Sequence, residues 1–146
     1  MGKIVLKARK GIGGVAEGEA LVCKEPVNFM SDANVWENPK DAKFTNKIAV
    51  PSVYHKSFAG KVLIFPTGKG GIFSSDIIMD LQAVGSAPAA FIMALPHPVW
   101  PVISYLTGIP LVCGLDWHQL QAIDTGDWVK VDAKNKIIEV VKKTQQ

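Results

Sequence analysis

Residues 60–85 read GKVLIFPTGKGGIFSSDIIMDLQAVG. Lys61-Val62-Leu63-Ile64-Phe65 is a short apolar run rich in β-branched and aromatic residues, the mark of a buried strand. Pro66 ends it, and Thr67-Gly68-Lys69-Gly70-Gly71 follows as a polar, flexible loop. Ser74 or Ser75 is then placed to cap a helix by accepting from a backbone N–H. Ile77, Leu81 and Val84 recur at i, i+4 and i+7 and set one stripe of that helix against a core. Gly85 stands where a helix end favours a residue that tolerates positive φ. Strand, glycine loop and helix make one unit, and the chemistry is expected there.

The reason is the start of the helix. Its free N–H groups and the positive end of its dipole favour an anion. Gly68, Gly70 and Gly71 present no Cβ to keep a ligand away from the backbone, and Lys69 adds a mobile positive charge. The loop is not a P-loop, because Gly70 follows Lys69 where Ser or Thr is required. Nor does it carry the dinucleotide fingerprint, since Phe73 and Ser74 stand where a later glycine belongs. The plainer alternative is a surface turn with ordinary turn glycines.

Outward from this unit, 146 residues suffice for one domain, and 1–146 is expected to form one. With 20% charged and 48% hydrophobic residues, the balance is globular. The net charge of +3 is spread over scattered lysines, which argues against nucleic-acid binding. Cys23 and Cys113 are too few and too far apart for a disulfide framework or structural zinc. No signal peptide is read, so the cytoplasm is the expected location. Residues 81–115 contain no Asp, Glu, Lys or Arg. Five prolines and three glycines break that span, so it reads as buried core rather than membrane.

Residues 3–9 alternate as a half-buried strand, and residues 11–14 read as a glycine turn. Residues 20–23 form a second strand, with Glu17 and Glu19 as its solvated edge; a catalytic carboxylate pair is the less favoured reading. Residues 30–47 are polar, proline-broken and expected to wrap the surface. His55 lacks partners at metal spacing. Residues 89–93 form the next buried strand, making a right-handed βαβ crossover. A helix follows from Pro98 to Gly108, then a short strand over 109–112, a short helix over 117–123, and a closing hairpin of 128–132 with 136–141. His97 and His118 flank the apolar helix in capping or packing roles. No Ser, His and acid triad is legible. The residues alone define an α/β domain with an anion-accepting helix start.

Longer motifs extend this. Residues 14–22, GVAEGEALV, resemble the opening of the small, swivelling subunit of the aconitase X family, where G-x-A-E-G-E-A-L-V precedes K-E-x-x-x-F; here Lys24-Glu25 and Phe29 follow. Residues 59–70 are similar to its A-G-K/R-x-L-x-F-P-x-G-K/R-G, residues 87–90 to its A-P-x-A, and Thr125-Gly126-Asp127 to its closing T-G-D. The resemblance covers nearly the whole chain, which is identified as a divergent member. It implies a swivelling β/β/α domain like the fourth domain of aconitase. It also implies a heterodimer, or larger assembly, with a large subunit whose own cysteines hold an iron–sulfur cluster. Such complexes dehydrate small hydroxy acids, mevalonate 5-phosphate or cis-3-hydroxyproline, and the small part closes a glycine–serine loop over the anionic substrate.

The resemblance breaks inside that loop. Gly71 and Ile72 occupy the places of the family's proton-transferring serine and its neighbour, Ser74 falls where glycine is usual, and Ser75 matches the motif's last serine. Near Asn28, Met30-Ser31-Asp32 replaces an aromatic-Gly-Gly stretch. The expected substrate-binding residues are therefore Thr67, Gly68, Lys69, Gly70, Gly71 and Asn28, with Ser74 or Ser75 as the catalytic hydroxyl. A serine in that role needs its proton loosened by Lys69 and the helix start. Two rival readings are a scaffolding partner that keeps only anion affinity and a phosphohistidine carrier using His97.

Overall fold

In the computed structural model, which describes residues 2–71 and 73–143, eight strands lie in the order β1-β8-β7-β3-β4-β5-β6-β2. They are β1 (Lys3–Lys7), β2 (Lys10–Ile12), β3 (Val15–Val22), β4 (Val62–Phe65), β5 (Ala90–Met93), β6 (Leu111–Cys113), β7 (Trp128–Asp132) and β8 (Ile137–Val141). The helices are α1 (Phe29–Asp32), α2 (Ser74–Ala83), α3 (Val99–Thr107) and α4 (Trp117–Leu120). Ile72, one of the three positions where the loop departs from the family motif, lies outside the described residues.

The long strand β3 belongs to two half-sheets. Its first part, Val15 to Glu19, pairs antiparallel with β7, and Ala20 to Val22 pairs parallel with β4. The strands β4, β5 and β6 continue in parallel, as strands joined by crossover helices must. At the ends of the order, only Ala8 and Arg9 separate β1 from β2. There Ala8 N donates to Lys136 O and Arg9 N to Cys113 O, so the two half-sheets fold over one another. Between them lie Val62, Ile64, Ile92 and Val112 from one half and Val129, Val131, Ile138 and Val140 from the other. The opposite face of the parallel half carries Leu63, Phe65, Phe91 and Met93 and packs on α2 and α3 through Ile77, Ile78, Leu81, Trp100 and Ile103. The layers are β/β/α, as expected.

Several local expectations change. Residues 10–12 are a strand pairing with β6 and not part of a turn; the bend is confined to Gly13 and Gly14. Glu17 and Glu19 are exposed, but β3 is an interior strand, so they occupy a solvated face and not an edge. Glu17 accepts from Trp128 Nε1 and Glu19 pairs with Lys61. Residues 30–47 do more than wrap the surface: Asp32, Ala33, Val35, Ala42 and Phe44 are buried. Phe44 joins Phe29 and Phe58 in an aromatic cluster, with ring centroids 5.1 to 5.9 Å apart. Aromatics spaced too irregularly for a helix or strand period close the end of the core. Val84 is exposed at the end of α2, where the buried stripe is Ile77, Ile78 and Leu81.

Where β3 changes partners its backbone would be left unpaired, and the Thr125-Gly126-Asp127 turn supplies the missing groups. Ala20 N donates to Asp127 O (2.7 Å), Gly126 N to Ala20 O (3.0 Å), and Val22 N to Thr125 Oγ1 (3.0 Å). The buried carboxylate of Asp127 in turn accepts from Asp124 N (2.8 Å), Lys143 N (2.9 Å) and Lys142 Nζ. Burial alone would raise its pKa, but these donors outweigh burial and hold it below the ordinary carboxylate value.

A carboxylate depressed in the folded state stabilises the fold above its unfolded pKa of about 3.9 and ceases to do so as pH falls through the lower folded value. Thermal melts should therefore be level from neutral pH to about 5 and decline below about 4. Asp127→Asn should cost about 1–3 kcal/mol at neutral pH and flatten the acid decline. A mutant as stable as the parent in urea titrations would show that the turn does not depend on this carboxylate.

Candidate functional site

Beyond Val22 the chain of β3 runs alongside the extension of β4. Val27 and Gly68 form a parallel bridge, with Val27 N donating to Thr67 O and Lys69 N to Val27 O, both at 3.1 Å. This extra pairing carries Asn28 next to the glycine loop. The Asn28 Oδ1 caps α1 by accepting from Met30 N at 2.9 Å. Its Nδ2 lies 3.0 Å from where a Cβ on Gly70 would stand. Gly70 and Gly71 adopt φ of +54° and +89°, a conformation that L side chains resist.

Under this cradle sits Asp32, fully buried. Its Oδ2 accepts from Asn28 N (2.9 Å) and faces Lys69 Nζ at 3.3 Å. The other oxygen, Oδ1, accepts from Ser31 Oγ (3.1 Å) and Asn46 Nδ2 (3.3 Å). Its carbonyl accepts from Thr45 N and Asn46 N as well. One buried side chain thus joins the Asn28 turn, the 45–46 segment and the glycine loop. Left unpaired, a buried carboxylate would destabilise the fold severely, which explains the donors gathered around both oxygens.

The residues singled out from the sequence gather here, with altered duties. Lys69 is not a free charge; its ammonium is the ion-pair partner of Asp32 while the side chain stays 41% exposed. Gly68 is buried and opens no path to a ligand: a Cβ there would lie 2.4 Å from the Trp100 ring. Thr67 commits its hydroxyl proton to Leu95 O at 3.1 Å. Neither Ser74 nor Ser75 caps α2. Phe73 holds the capping position without a side-chain bond, and the two serines open the helix itself. The loop tightens earlier instead, where Ser74 N donates to Gly71 O at 2.9 Å.

The two serines differ. Ser75 is half-buried, whereas Ser74 is fully buried and its Oγ has no hydrogen-bond partner among the described residues. That hydroxyl lies 2.6 Å from where a Cβ on Gly71 would stand. Space that a side chain on residue 71 would enter therefore holds the Ser74 hydroxyl. His97 is half-buried, accepts from Val99 N at 3.4 Å and meets Trp100 edge-on, which is the packing role expected. His55 and His118 are exposed. Among the described residues, no helix is long and apolar enough to cross a membrane.

Sequence patterns do not single out Asp32, Asn46 or Trp100. Asp32 sits in a polar segment where exposure is the ordinary expectation, and Asn46 lies 14 residues from its partner. The one hint is that Asp32 falls where the family motif has glycine.

Two stacked half-sheets, one helical layer and a glycine cradle leading into a helix define a swivelling β/β/α domain. The model of the aconitase X swivel domain matches residues 5–140, and the chain belongs to that family. The phosphomevalonate dehydratase small subunit of Thermococcus gammatolerans is 35% identical over 136 residues, 93% of this chain and 97% of that protein. Its counterpart in Methanocella arvoryzae is 36% identical over 135 residues, 92% and 98% of the two chains. The crystal structure of Thermococcus kodakaraensis aconitase X in its holo form matches with a TM-score of 0.82 at 32% identity, covering 95% of this chain and 99% of that one.

Side-chain-free space under Gly68 and Gly71 is a structural requirement that mutation can measure. Gly68→Ala, driven into Trp100, should cost about 1–3 kcal/mol, and Gly71→Ala a similar amount through strain and contact with Ser74. Gly60→Ala, at φ +67° with nothing within 4 Å of the added carbon, should lose only about 1 kcal/mol. Urea midpoints for the three variants check the order.

Proposed function

We propose that this chain is the small subunit of an aconitase X-type hydro-lyase and is inactive without its large subunit. As a single swivel domain in the cytoplasm, it closes a cradle of Asn28, Lys69, Gly70 and Gly71 over the anionic end of a small hydroxy acid. Mevalonate 5-phosphate is the substrate favoured by the relatives' names, phosphomevalonate dehydratase small subunit. The observation that carries the reading is family membership over residues 5–140 together with a cradle assembled where the motif predicts it.

The need for a partner rests on the cradle's openness. Gly70 is exposed, and Met30, at the start of α1, and Phe73, at the start of α2, are 45% and 57% exposed. Such apolar rims suit coverage by another subunit, which would also exclude water from the reaction. An iron–sulfur cluster belongs to that partner on this reading. Cys23 and Cys113 are both buried, and burial pushes the Cys23 thiol up to about 11, the wrong direction for a thiolate ligand. No group of three or more His, Cys, Asp or Glu among the described residues could hold a metal.

In this chain the N–H groups of Gly70 and Gly71 and the Lys69 ammonium bind and orient the anion. Ser74 is favoured over Ser75 as the proton-moving hydroxyl, because it is unpartnered and lies directly beneath Gly71. Loop movement must uncover it, and Gly70 and Gly71 are suited to absorb the backbone change. The positive end of α2 favours the alkoxide that proton loss would leave.

Reconstituted complexes decide the assignment. Ser74→Ala should lower kcat by about a hundredfold or more, while Ser75→Ala should change it by less than about threefold. Full turnover in the Ser74 variant would remove that hydroxyl from the mechanism. Failure of the chain to associate with any large subunit would overturn the dehydratase reading itself.

A further inference from the structure

The Asp32–Lys69 pair bears on what kind of anion the cradle accepts. Lys69 is the one cation within ion-pair distance of Asp32 among the described residues, and Asp32 is fully buried. Withdrawing Lys69 would leave the buried carboxylate without its counter-charge, held only by donors such as Asn28 N, Ser31 Oγ and Asn46 Nδ2, so an arriving ligand competes with Asp32 for the ammonium. It can share only the ammonium hydrogens that Asp32 leaves unused. The field above the cradle is accordingly that of a compensated pair and not that of a free cation.

Beyond those shared ammonium hydrogens, what attracts an anion is the start of α2, equivalent to roughly half a positive charge, and the N–H groups beside it. This helix start is marked as a place for a ligand by a second feature, the buried and unpartnered Ser74 hydroxyl directed under Gly71. Asp76, exposed in the first turn of α2, subtracts from even that partial charge. A dianion gains little from such a balance, since its second charge meets no uncompensated partner. One carboxylate, flat and singly charged, fits the available donors.

Resting on the cradle reading above, we infer that Asp32 makes this cradle selective for a monoanionic carboxylate over a phosphate dianion. If the substrate bears both groups, the carboxylate end is the one seated here. Asp32 is then a specificity-determining residue that acts through Lys69 and does not itself touch the ligand.

The test uses the full chain labelled with 15N, titrated with acetate and separately with glycerol 3-phosphate at about pH 8, where a phosphate monoester is a dianion. In the parent chain acetate should move the amide signals of Gly70 and Gly71 at concentrations no higher than the phosphate ester requires. Asp32→Asn frees the Lys69 charge and should shift the ratio of the two affinities toward phosphate on the order of tenfold. Lys69→Gln in the same background should abolish that gain. A parent chain that prefers the phosphate ester overturns the inference yet leaves the cradle standing. So does an unchanged ratio in a folded Asp32→Asn variant. If neither anion moves Gly70 or Gly71, both the inference and the anion cradle fail. If Asp32→Asn does not fold, the parent ratio alone decides.

Discussion

Everything in this fold depends on β3 being shared between two half-sheets. A strand that leaves one partner and takes another abandons backbone donors and acceptors at the point of change, and buried ones must be paired. Here the Thr125-Gly126-Asp127 turn satisfies Ala20 and Val22. The turn is itself anchored to the end of β8 through Asp127, Lys142 and Lys143. That arrangement lets the first part of β3 lie against β7 while its last part aligns β4 in parallel. Since β4 aims directly into the glycine loop, placement of the site begins with a hydrogen-bonding problem some distance away.

The second constraint is the buried charge beneath the loop. Without a side chain at Gly68, Gly70 or Gly71, the cradle has little packing of its own to define its shape. Trp100 supports it from below at Gly68, and Asp32 ties it laterally to Asn28 and Asn46. Order at the site therefore comes largely from residues outside the glycine motif.

Several departures from the family motif lie close together around the glycine loop. Glycine replaces the expected serine at position 71, and an unpaired hydroxyl from Ser74 occupies the neighbouring space. Asp32 replaces a small residue of the family motif and faces Lys69. These positions meet around one loop.

Much of the fold is legible in the chain itself. The apolar runs at 61–65 and 89–93 read as buried strands, and the helix between them makes their pairing parallel. The order of the motifs points to the swivel domain. Other features rest on contacts between distant parts of the chain and leave no local period. The strand at 10–12 is hidden in a glycine turn because its pairing with β6 joins positions about a hundred residues apart. Phe44 and Asp32 look like surface residues because nothing nearby in sequence reveals that the sheet end needs covering. Sequence by itself thus determined the strand–loop–helix unit, through periodicity and local backbone chemistry, and the layer type and family, through the resemblance of its motifs. Only the tertiary structure decided that Lys69 is paired, that Ser74 is the buried hydroxyl and that Asp32 lies buried beneath the loop. Burial and charge pairing arise only when separate segments meet, and chain order does not encode which of them will.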